Sequence, residues 1–189
     1  MTRPNDPTAG LPTGPKWDAR YAEPEYIFGE APNAFLKSKA GMLRPGMTAL
    51  VPGDGEGRNG VWLAGQGLDV TTVDASRVGV EKSKALAAKR GVPIRAIHAD
   101  LEVWDWPVGR YDVIASVFLH FHPDLRVRLH GKMLAALKPG GLVLLEAYTP
   151  RQLEHRKAGV QGGPPPEMLF TRELLAKDFA GMEILELAE

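Results

Sequence analysis

From Met47 onward, short runs of aliphatic and β-branched residues alternate with longer stretches whose apolar positions recur at helical spacing. Six strands are predicted, at about Thr48–Val51, Asp69–Val73, Ile94–His98, Tyr111–Val117, Leu142–Ala147 and Met182–Leu187. Between them Asn59–Gln66 reads as a short helix. Arg77–Arg90 reads as a longer one, with Ser76 placed to cap its first turn and Gly91 to stop it. Asp124–Leu137 puts Leu125, Leu129, Met133, Leu134 and Leu137 on one helical face before Pro139, Gly140 and Gly141 end it. Thr171–Phe179 is a fourth helix, with Thr171 as its cap. Such alternation predicts βαβ units and therefore an α/β fold with a doubly wound, mostly parallel sheet.

Upstream the pattern dissolves. Residues 1–16 carry Pro4, Pro7, Pro12 and Pro15 with Gly10 and Gly14, too little apolar surface to fold alone, and are expected to form a flexible tail ahead of a single domain at 17–189. Trp17, Tyr21, Tyr26, Phe28 and Phe35, interrupted by Pro24, Gly29 and Pro32, are expected to wrap the domain rather than form its core. The run Gly162 to Pro166 is a loop.

Composition narrows the function. The 189 residues suit one domain, and the 44% apolar and 24% charged fractions are ordinary globular values. No uncharged apolar run approaches the ~18 residues of a membrane span, so no membrane partner is expected. Lys plus Arg and Asp plus Glu both number 23, which leaves no net positive field for a phosphate backbone, so nucleic acid is not expected as a partner. With no cysteine there is neither a thiolate nucleophile nor a Cys-ligated metal, and without an apolar leader the expected location is cytoplasmic. The sequence carries no signal for an oligomeric state.

The chemistry gathers at strand ends. The first strand runs into Gly53-Asp54-Gly55-Glu56-Gly57 and then turns helical, a turn that lets a ligand lie against main-chain N–H groups. The second strand ends at Asp74, seventeen positions after Gly57, where a carboxylate can accept both hydroxyls of a ribose. Two ligand classes compete for that pair. A dinucleotide fingerprint requires a third glycine at the position of Arg58, beneath the pyrophosphate. Glycines at 53, 55 and 57 instead have the spacing of S-adenosylmethionine enzymes, which hold no phosphate. The third strand delivers His98-Ala99-Asp100-Leu101, an acid for an amino group and an apolar contact for a ring.

Together with Tyr111-Asp112-Val113-Ile114 and Leu137-Lys138-Pro139-Gly140-Gly141-Leu142, these elements resemble the class I S-adenosylmethionine-dependent methyltransferases, with their Rossmann-like fold. Trp17-Asp18-x-Arg20-Tyr21, Phe28-Gly29 and Pro32-Asn33-x-Phe35-Leu36 are similar to the small-molecule branch that includes tellurite-resistance and thiol methyltransferases. The resemblance implies S-adenosylmethionine as cofactor. It implies that Gly53, Asp54 and Gly55 lie against the methionine part, that Asp74 with Ala75 beside it takes the ribose, that Asp100 and Leu101 flank the adenine, and that Val117 approaches the sulfonium. Two departures stand out. Many members carry an acid at the position of Val51 and a small residue or cysteine at Asp54. The family's closing hairpin would also need a final antiparallel strand after Met182–Leu187, but the sequence stops at Glu189, so either the chain is shortened or the sheet edge differs.

Beyond the fourth strand, His120 is the candidate general base or acceptor-orienting residue, with His122 beside it; two histidines at i and i+2 with no third ligand do not make a metal site. Arg151, His155, Arg156 and Lys157 form a basic cluster that could draw in an anionic acceptor, and Trp17, Tyr21, Tyr26 and Phe28 could close over a sulfonium. Trp104 and Trp106 have no assigned function. The expected activity is methyl transfer to a small acceptor such as an oxyanion or a thiol. Two alternatives stand beside it: an NAD(P)-dependent oxidoreductase, disfavoured by Arg58 and the lack of a Tyr-x-x-x-Lys relay, and a non-catalytic S-adenosylmethionine-binding module.

Overall fold

A computed structural model describes residues 13–160 and 162–189. In chain order it contains α1 (Thr13–Arg20), α2 (Ala34–Ser38), β1 (Thr48–Pro52), α3 (Arg58–Gly65), β2 (Asp69–Asp74), α4 (Arg77–Arg90) and β3 (Arg95–His98). There follow β4 (Tyr111–Val117), α5 (Pro123–Ala136), β5 (Leu137–Glu146), α6 (Arg151–Lys157) and α7 (Arg172–Asp178), with 3-10 turns at Ala40–Met42 and Pro166–Met168.

The strands form one parallel sheet in the order β3-β2-β1-β4-β5. Successive side chains leave opposite faces, so each central strand feeds two cores. Ala49, Val51, Val113 and Ala115 pack with Leu36, Leu63 and Val70 on one face. Leu50 and Ile114 pack with Val73, Leu129, Met133 and Trp106 on the other. Burial on both faces explains why these strands read as continuous apolar runs. The order in which strands are added reverses between β1 and β4, and the carboxyl ends of those two parallel strands open the crevice where such sheets bind ligands.

Local signals fix the helices. Ser76 Oγ accepts from Gly79 N–H at 2.9 Å at the start of α4, and Gly91 ends it in the left-handed region at φ +66°. Pro123 opens α5, and Thr171 Oγ1 caps α7 by accepting from Leu174 N–H at 3.2 Å. Asn33 caps α2 by accepting from Leu36 N–H at 2.9 Å.

Two expectations are corrected. Met182–Leu187 is not a strand: it runs irregularly beyond α7, Ile184 and Leu185 are exposed, and Glu186 pairs with Lys39 at 2.6 Å. Alternation alone does not hold a strand that has no ladder to join, and the sheet ends at β5. No antiparallel strand joins this sheet among the described residues. Residues 13–16, read as tail, belong to α1; the rest of that tail lies outside the described residues. No helix among the described residues is long and apolar enough to cross a membrane.

Candidate functional site

The loop from Gly53 to Gly57 turns out of β1 into the crevice. Gly53 N–H donates to Val73 C=O at 2.7 Å, tying the loop to β2. Gly55 has φ +56°, and a Cβ there would fall 2.4 Å from the Tyr21 hydroxyl, so only glycine leaves this cradle open. Gly57 has φ +93° and lies so close to α4 that a Cβ would meet Ser83 Oγ at 2.5 Å. This third glycine therefore brings α3 against α4.

Asp74, at the tip of β2, reaches back across the loop. Its Oδ2 accepts from Gly55 N–H and its Oδ1 from Ser76 N–H, both at 2.8 Å. Each oxygen keeps a further lone pair, which suits a carboxylate that must also take ribose hydroxyls. Desolvation raises its pKa above the usual carboxylate value, against the two backbone hydrogen bonds and His98. Asp54 is buried outright. Desolvation pushes its pKa up to about 8, the Asp74 charge adds to the rise, and hydrogen bonds from Gly60 and Asn59 N–H oppose it. Its Oδ2 accepts from Gly60 N–H at 2.9 Å, while Oδ1 is buried without a partner.

Ala75 lies directly beneath α1: its carbonyl oxygen would be 2.5 Å from a Cβ at Gly14, and it takes a hydrogen bond from His98 Nε2 at 3.1 Å. Asp18 of α1 accepts from Ser76 Oγ at 2.6 Å and Val78 N–H at 3.0 Å, so it sits against the amino end of α4. Asp100 follows β3 and is exposed, its Oδ1 accepting from Glu102 N–H at 2.9 Å. Leu101 is buried, and its carbonyl receives the Trp106 indole N–H at 2.9 Å. That bond gives Trp106 a structural role in the core. Across the crevice stands Val117, the last residue of β4, and two residues on Leu119 packs toward Gly53. The glycine loop, Asp74, Ala75, Asp100, Leu101 and Val117 thus share one end of the sheet.

His120 is at this end too, with both ring nitrogens engaged. Nδ1 lies 2.8 Å from Met168 C=O and Nε2 accepts from Tyr148 N–H at 3.0 Å, which fixes the neutral tautomer with its proton on Nδ1. Desolvation lowers its pKa below the usual imidazole value, against the Met168 bond. In this arrangement the ring positions two chain segments and has no free lone pair for an acceptor. In the basic loop three side chains have partners. Arg156 donates to Gly162 and Pro164 C=O, Lys157 pairs with Glu154 at 2.9 Å, and Arg151 approaches Glu189 at 3.6 Å.

Sequence reasoning missed a set of residues that hold the amino-terminal arm on the glycine loop. Glu56 is buried, accepts from Ile27 N–H at 2.9 Å and pairs with Lys82 at 2.5 Å. Lys82 also donates to the carbonyls of Tyr21, Glu23 and Glu25 at 3.3, 2.8 and 2.7 Å. Asn33 N–H donates to Asn59 Oδ1 at 3.0 Å and its side-chain amide to Glu146 at 2.5 Å. Asn33 could be found as a helix cap after Pro32; the others pair across long sequence separations and carry no local signal. Through them Tyr21, stacked on Trp17 at 5.2 Å, lies over Gly55. Buried near Asp54, Glu56 and Asp74, its hydroxyl is held well above the usual pKa range. A separate cavity of about 430 Å³ lies beside Asp69 and Arg95, at the opposite end of the sheet, and takes no part in this site.

The profile of a family described as a methyltransferase domain matches residues 49–141. A protein of Arabidopsis thaliana, "Probable thiol methyltransferase 2", is 28% identical over 149 residues, covering 75% of this chain and 62% of that relative. The chain thus spans about six tenths of the length of this curated relative. Among solved structures, a SAM-dependent methyltransferase from Aquifex aeolicus superposes with a TM-score of 0.66 at 17% identity, covering 87% of this chain and 86% of that one. A SAM-dependent methyltransferase from Geobacter sulfurreducens, solved in complex with S-adenosyl-L-homocysteine, gives a TM-score of 0.51 at 23% identity, covering 68% and 53%.

Proposed function

We propose that the chain is a class I S-adenosylmethionine-dependent methyltransferase and that it transfers a methyl group from S-adenosylmethionine to the sulfur of a small thiol. The observation that carries the reading is the Asp74 carboxylate, hydrogen-bonded to Gly55 N–H at the mouth of the β1/β4 crevice. The residues present fit the cofactor. The glycine loop is a cradle that a Cβ at Gly55 would fill, no third glycine serves a pyrophosphate, and Asp54 Oδ1 is an unpartnered buried oxygen beside it. In this reading Gly53, Asp54 and Gly55 hold the methionine part, Asp74 and Ala75 the ribose, Asp100 and Leu101 the adenine, and Val117 borders the sulfonium.

When bound, S-adenosylmethionine would supply an electrophilic methyl carbon for the acceptor sulfur and keep the bonding pair on its own departing sulfur, and the thiol proton would pass to water. The chain's own contribution is then positioning and exclusion of water. Tyr21 and Trp17 cover the cradle, and His120 acts in the acceptor-orienting sense, fixing Met168 and Tyr148 around the far side of the crevice. A thiol suits a site whose histidine has no free nitrogen, because a free thiol, with a pKa of about 8.5, already holds a small thiolate fraction in water near neutrality without a protein base. An oxyanion, the acceptor of the tellurite-resistance reading, is less well served, since Arg151, Arg156 and Lys157 are engaged elsewhere. A polyanion such as nucleic acid meets no net positive charge.

Titration calorimetry with S-adenosylhomocysteine and with NAD tests the cofactor. The first is expected to bind and the second not, with Asp74→Ala weakening binding by ~1.5–3 kcal/mol, the scale of hydrogen bonds to a charged acceptor. Wild-type affinity in Asp74→Ala would remove the basis of the reading. Labelled methyl transfer into 2-mercaptoethanol, with tellurite as the competing acceptor, tests the substrate class.

A further inference from the structure

Where β2 and β3 begin, at the end of the sheet away from the glycine loop, lies the cavity of about 430 Å³ that takes no part in the candidate methyl-transfer site. Its volume falls within the roughly 300–1,000 Å³ of small-molecule sites. The sheet fixes its floor. Gly46 N–H donates to Gly67 C=O at 2.8 Å and Asp69 N–H to Met47 C=O at 2.9 Å, and Leu68 is buried in the core beneath. Ile94 is half-buried against the same core, and Pro93 extends the apolar wall. Gly46 leaves its side of the cavity open, since a Cβ there would meet nothing within 4 Å.

Two opposite charges line this cavity without meeting. Thr71 pairs with Arg95 in the parallel β2/β3 ladder, so Asp69, two residues before Thr71, shares a face of the sheet with Arg95. One strand over and two residues along puts their Cα atoms roughly 8 Å apart, within reach of an arginine side chain. Yet the exposed carboxylate and guanidinium form no ion pair with each other, and among the described residues neither pairs with any other charge. Arg95 also lines a smaller cavity of about 140 Å³, together with Arg110 and Asp105. Two guanidiniums against one carboxylate leave that end net positive, while Asp69 makes the other end negative.

We propose that the larger cavity binds a free α-amino acid with an aliphatic side chain, its ammonium on Asp69, its carboxylate on Arg95 and its side chain against Leu68, Pro93 and Ile94. A planar guanidinium takes a carboxylate through two parallel hydrogen bonds, and a carboxylate that offers only acceptors suits an ammonium. A purely anionic ligand would face the Asp69 charge, and a purely cationic one would face Arg95 and Arg110, so each meets a repulsion that the zwitterion turns into a contact. The site goes beyond the methyltransferase reading and does not depend on it, because none of its residues belongs to the glycine loop or the crevice.

L-Leucine, 4-methylpentanoate and 3-methylbutylamine test this, because the second is leucine without its amino group and the third is leucine without its carboxylate. Each is titrated by calorimetry into the full chain saturated with S-adenosylhomocysteine, so that the glycine-loop site is filled. Leucine is expected to bind, and each truncated ligand to bind about 5–30-fold more weakly, the scale of one hydrogen-bonded charge. Asp69→Asn and Arg95→Gln lie at exposed positions and are expected to keep the melting temperature and the S-adenosylhomocysteine affinity of the wild type. Both should weaken leucine by about the same 5–30-fold. Asp69→Asn should bind 4-methylpentanoate no worse than the wild type does, because that ligand has no ammonium to lose a partner. Absence of leucine binding to the wild type at millimolar concentration, equal affinity for leucine and 4-methylpentanoate, or unchanged leucine affinity in both variants would overturn the proposal. Failure of S-adenosylhomocysteine to bind would overturn the cofactor reading alone, since loss of leucine binding in the two variants still assigns it to this cavity.

Discussion

Lys82→Met is expected to be among the most damaging single substitutions outside the apolar core. The Lys82 ammonium faces Glu56 at 2.5 Å and three carbonyls of the amino-terminal arm, and the two side chains are only 15% and 4% exposed. Removing the cation strands a buried carboxylate whose remaining partner is Ile27 N–H, and it frees the arm's carbonyls. Breaking a buried pair from one side costs about 3–5 kcal/mol, because an uncompensated charge stays in a dry place. For a domain of this size ~1 kcal/mol corresponds to ~2–4 °C, so thermal unfolding should shift down by roughly 6–20 °C. The double variant Glu56→Gln, Lys82→Met removes both charges and should recover a large part of that loss. Limited proteolysis between Trp17 and Glu30 should accelerate in the single variant, with S-adenosylhomocysteine slowing it again. A melting temperature within about 3 °C of wild type, or a double variant no more stable than the single, would refute the view that this pair latches the arm.

Asp54→Asn keeps the acceptor for Gly60 N–H and removes an acid whose folded pKa is raised to about 8. A raised acid is fully stabilising below its unfolded value near 4 and loses that contribution as pH rises toward 8, so the variant's stability advantage should grow from pH 4 to 8 and then level. The same substitution should weaken S-adenosylhomocysteine binding if Asp54 touches the methionine part; a gap independent of pH in melting curves counts against its buried, protonated state. Burial lowers the pKa of His130 despite its hydrogen bond to Asp178, so the unfolded chain takes up the proton first and stability is lost as pH falls below ~6.5. His130→Gln should therefore flatten the melting temperature between pH 6.5 and 5 relative to wild type, and an unchanged slope would assign the proton uptake elsewhere. Gly57→Ala forces a Cβ onto Ser83 at φ +93° and should cost more than the ~1 kcal/mol of a left-handed alanine, measured by denaturant unfolding.

The parts of this molecule that were legible in its sequence are those set by neighbours along the chain. Strands β1, β2 and β4 end within a residue of expectation because burial on both faces writes them as largely apolar runs, and α4 matches from Arg77 to Arg90 because Ser76 and Gly91 punctuate it. The Gly53–Gly57 loop and Asp74 are local features too, one at each of two adjacent strand tips. What the sequence could not carry depends on distant partners. Lys82 meets Glu56 across 26 positions, Asn33 meets Glu146 across 113, and Met182–Leu187 alternates like a strand with no ladder to join. β5 starts at Leu137 rather than Leu142 because Leu137 pairs with Tyr111 ahead of a register shift, a pairing that the Pro139-Gly140-Gly141 stop signal hides. His120 shows a different limit: residue type identified a proton carrier, and only its two backbone partners reveal that the ring is spent on holding Tyr148 and Met168.

Two covers flank the crevice, and they are fastened by opposite kinds of chemistry. The arm is held by charge: Lys82 on the buried Glu56, with Glu30 bridging Lys89 and Arg90 at the surface at 2.7 and 3.0 Å. The segment beyond β5 is held from within. His120 fixes Met168, and Asp178 at the end of α7 takes Arg126 at 2.6 Å and His130 at 2.8 Å, with Phe121, Phe170 and Phe179 packed around the His130 ring. Burial works against the Asp178 carboxylate, yet the hydrogen bonds from Arg126 and His130 outweigh it and keep the group ionised well into acid. Salt screens the outer pairs of the arm and scarcely reaches the buried triad, whereas acid reaches the histidines and leaves the arm's lysines charged. Local opening draws on the elements with the fewest buried apolar contacts, and α1 contributes no buried residue of its own. Local opening at the glycine loop is therefore expected first in the arm, while the segment beyond β5, pinned by its buried triad, is expected to stay in place.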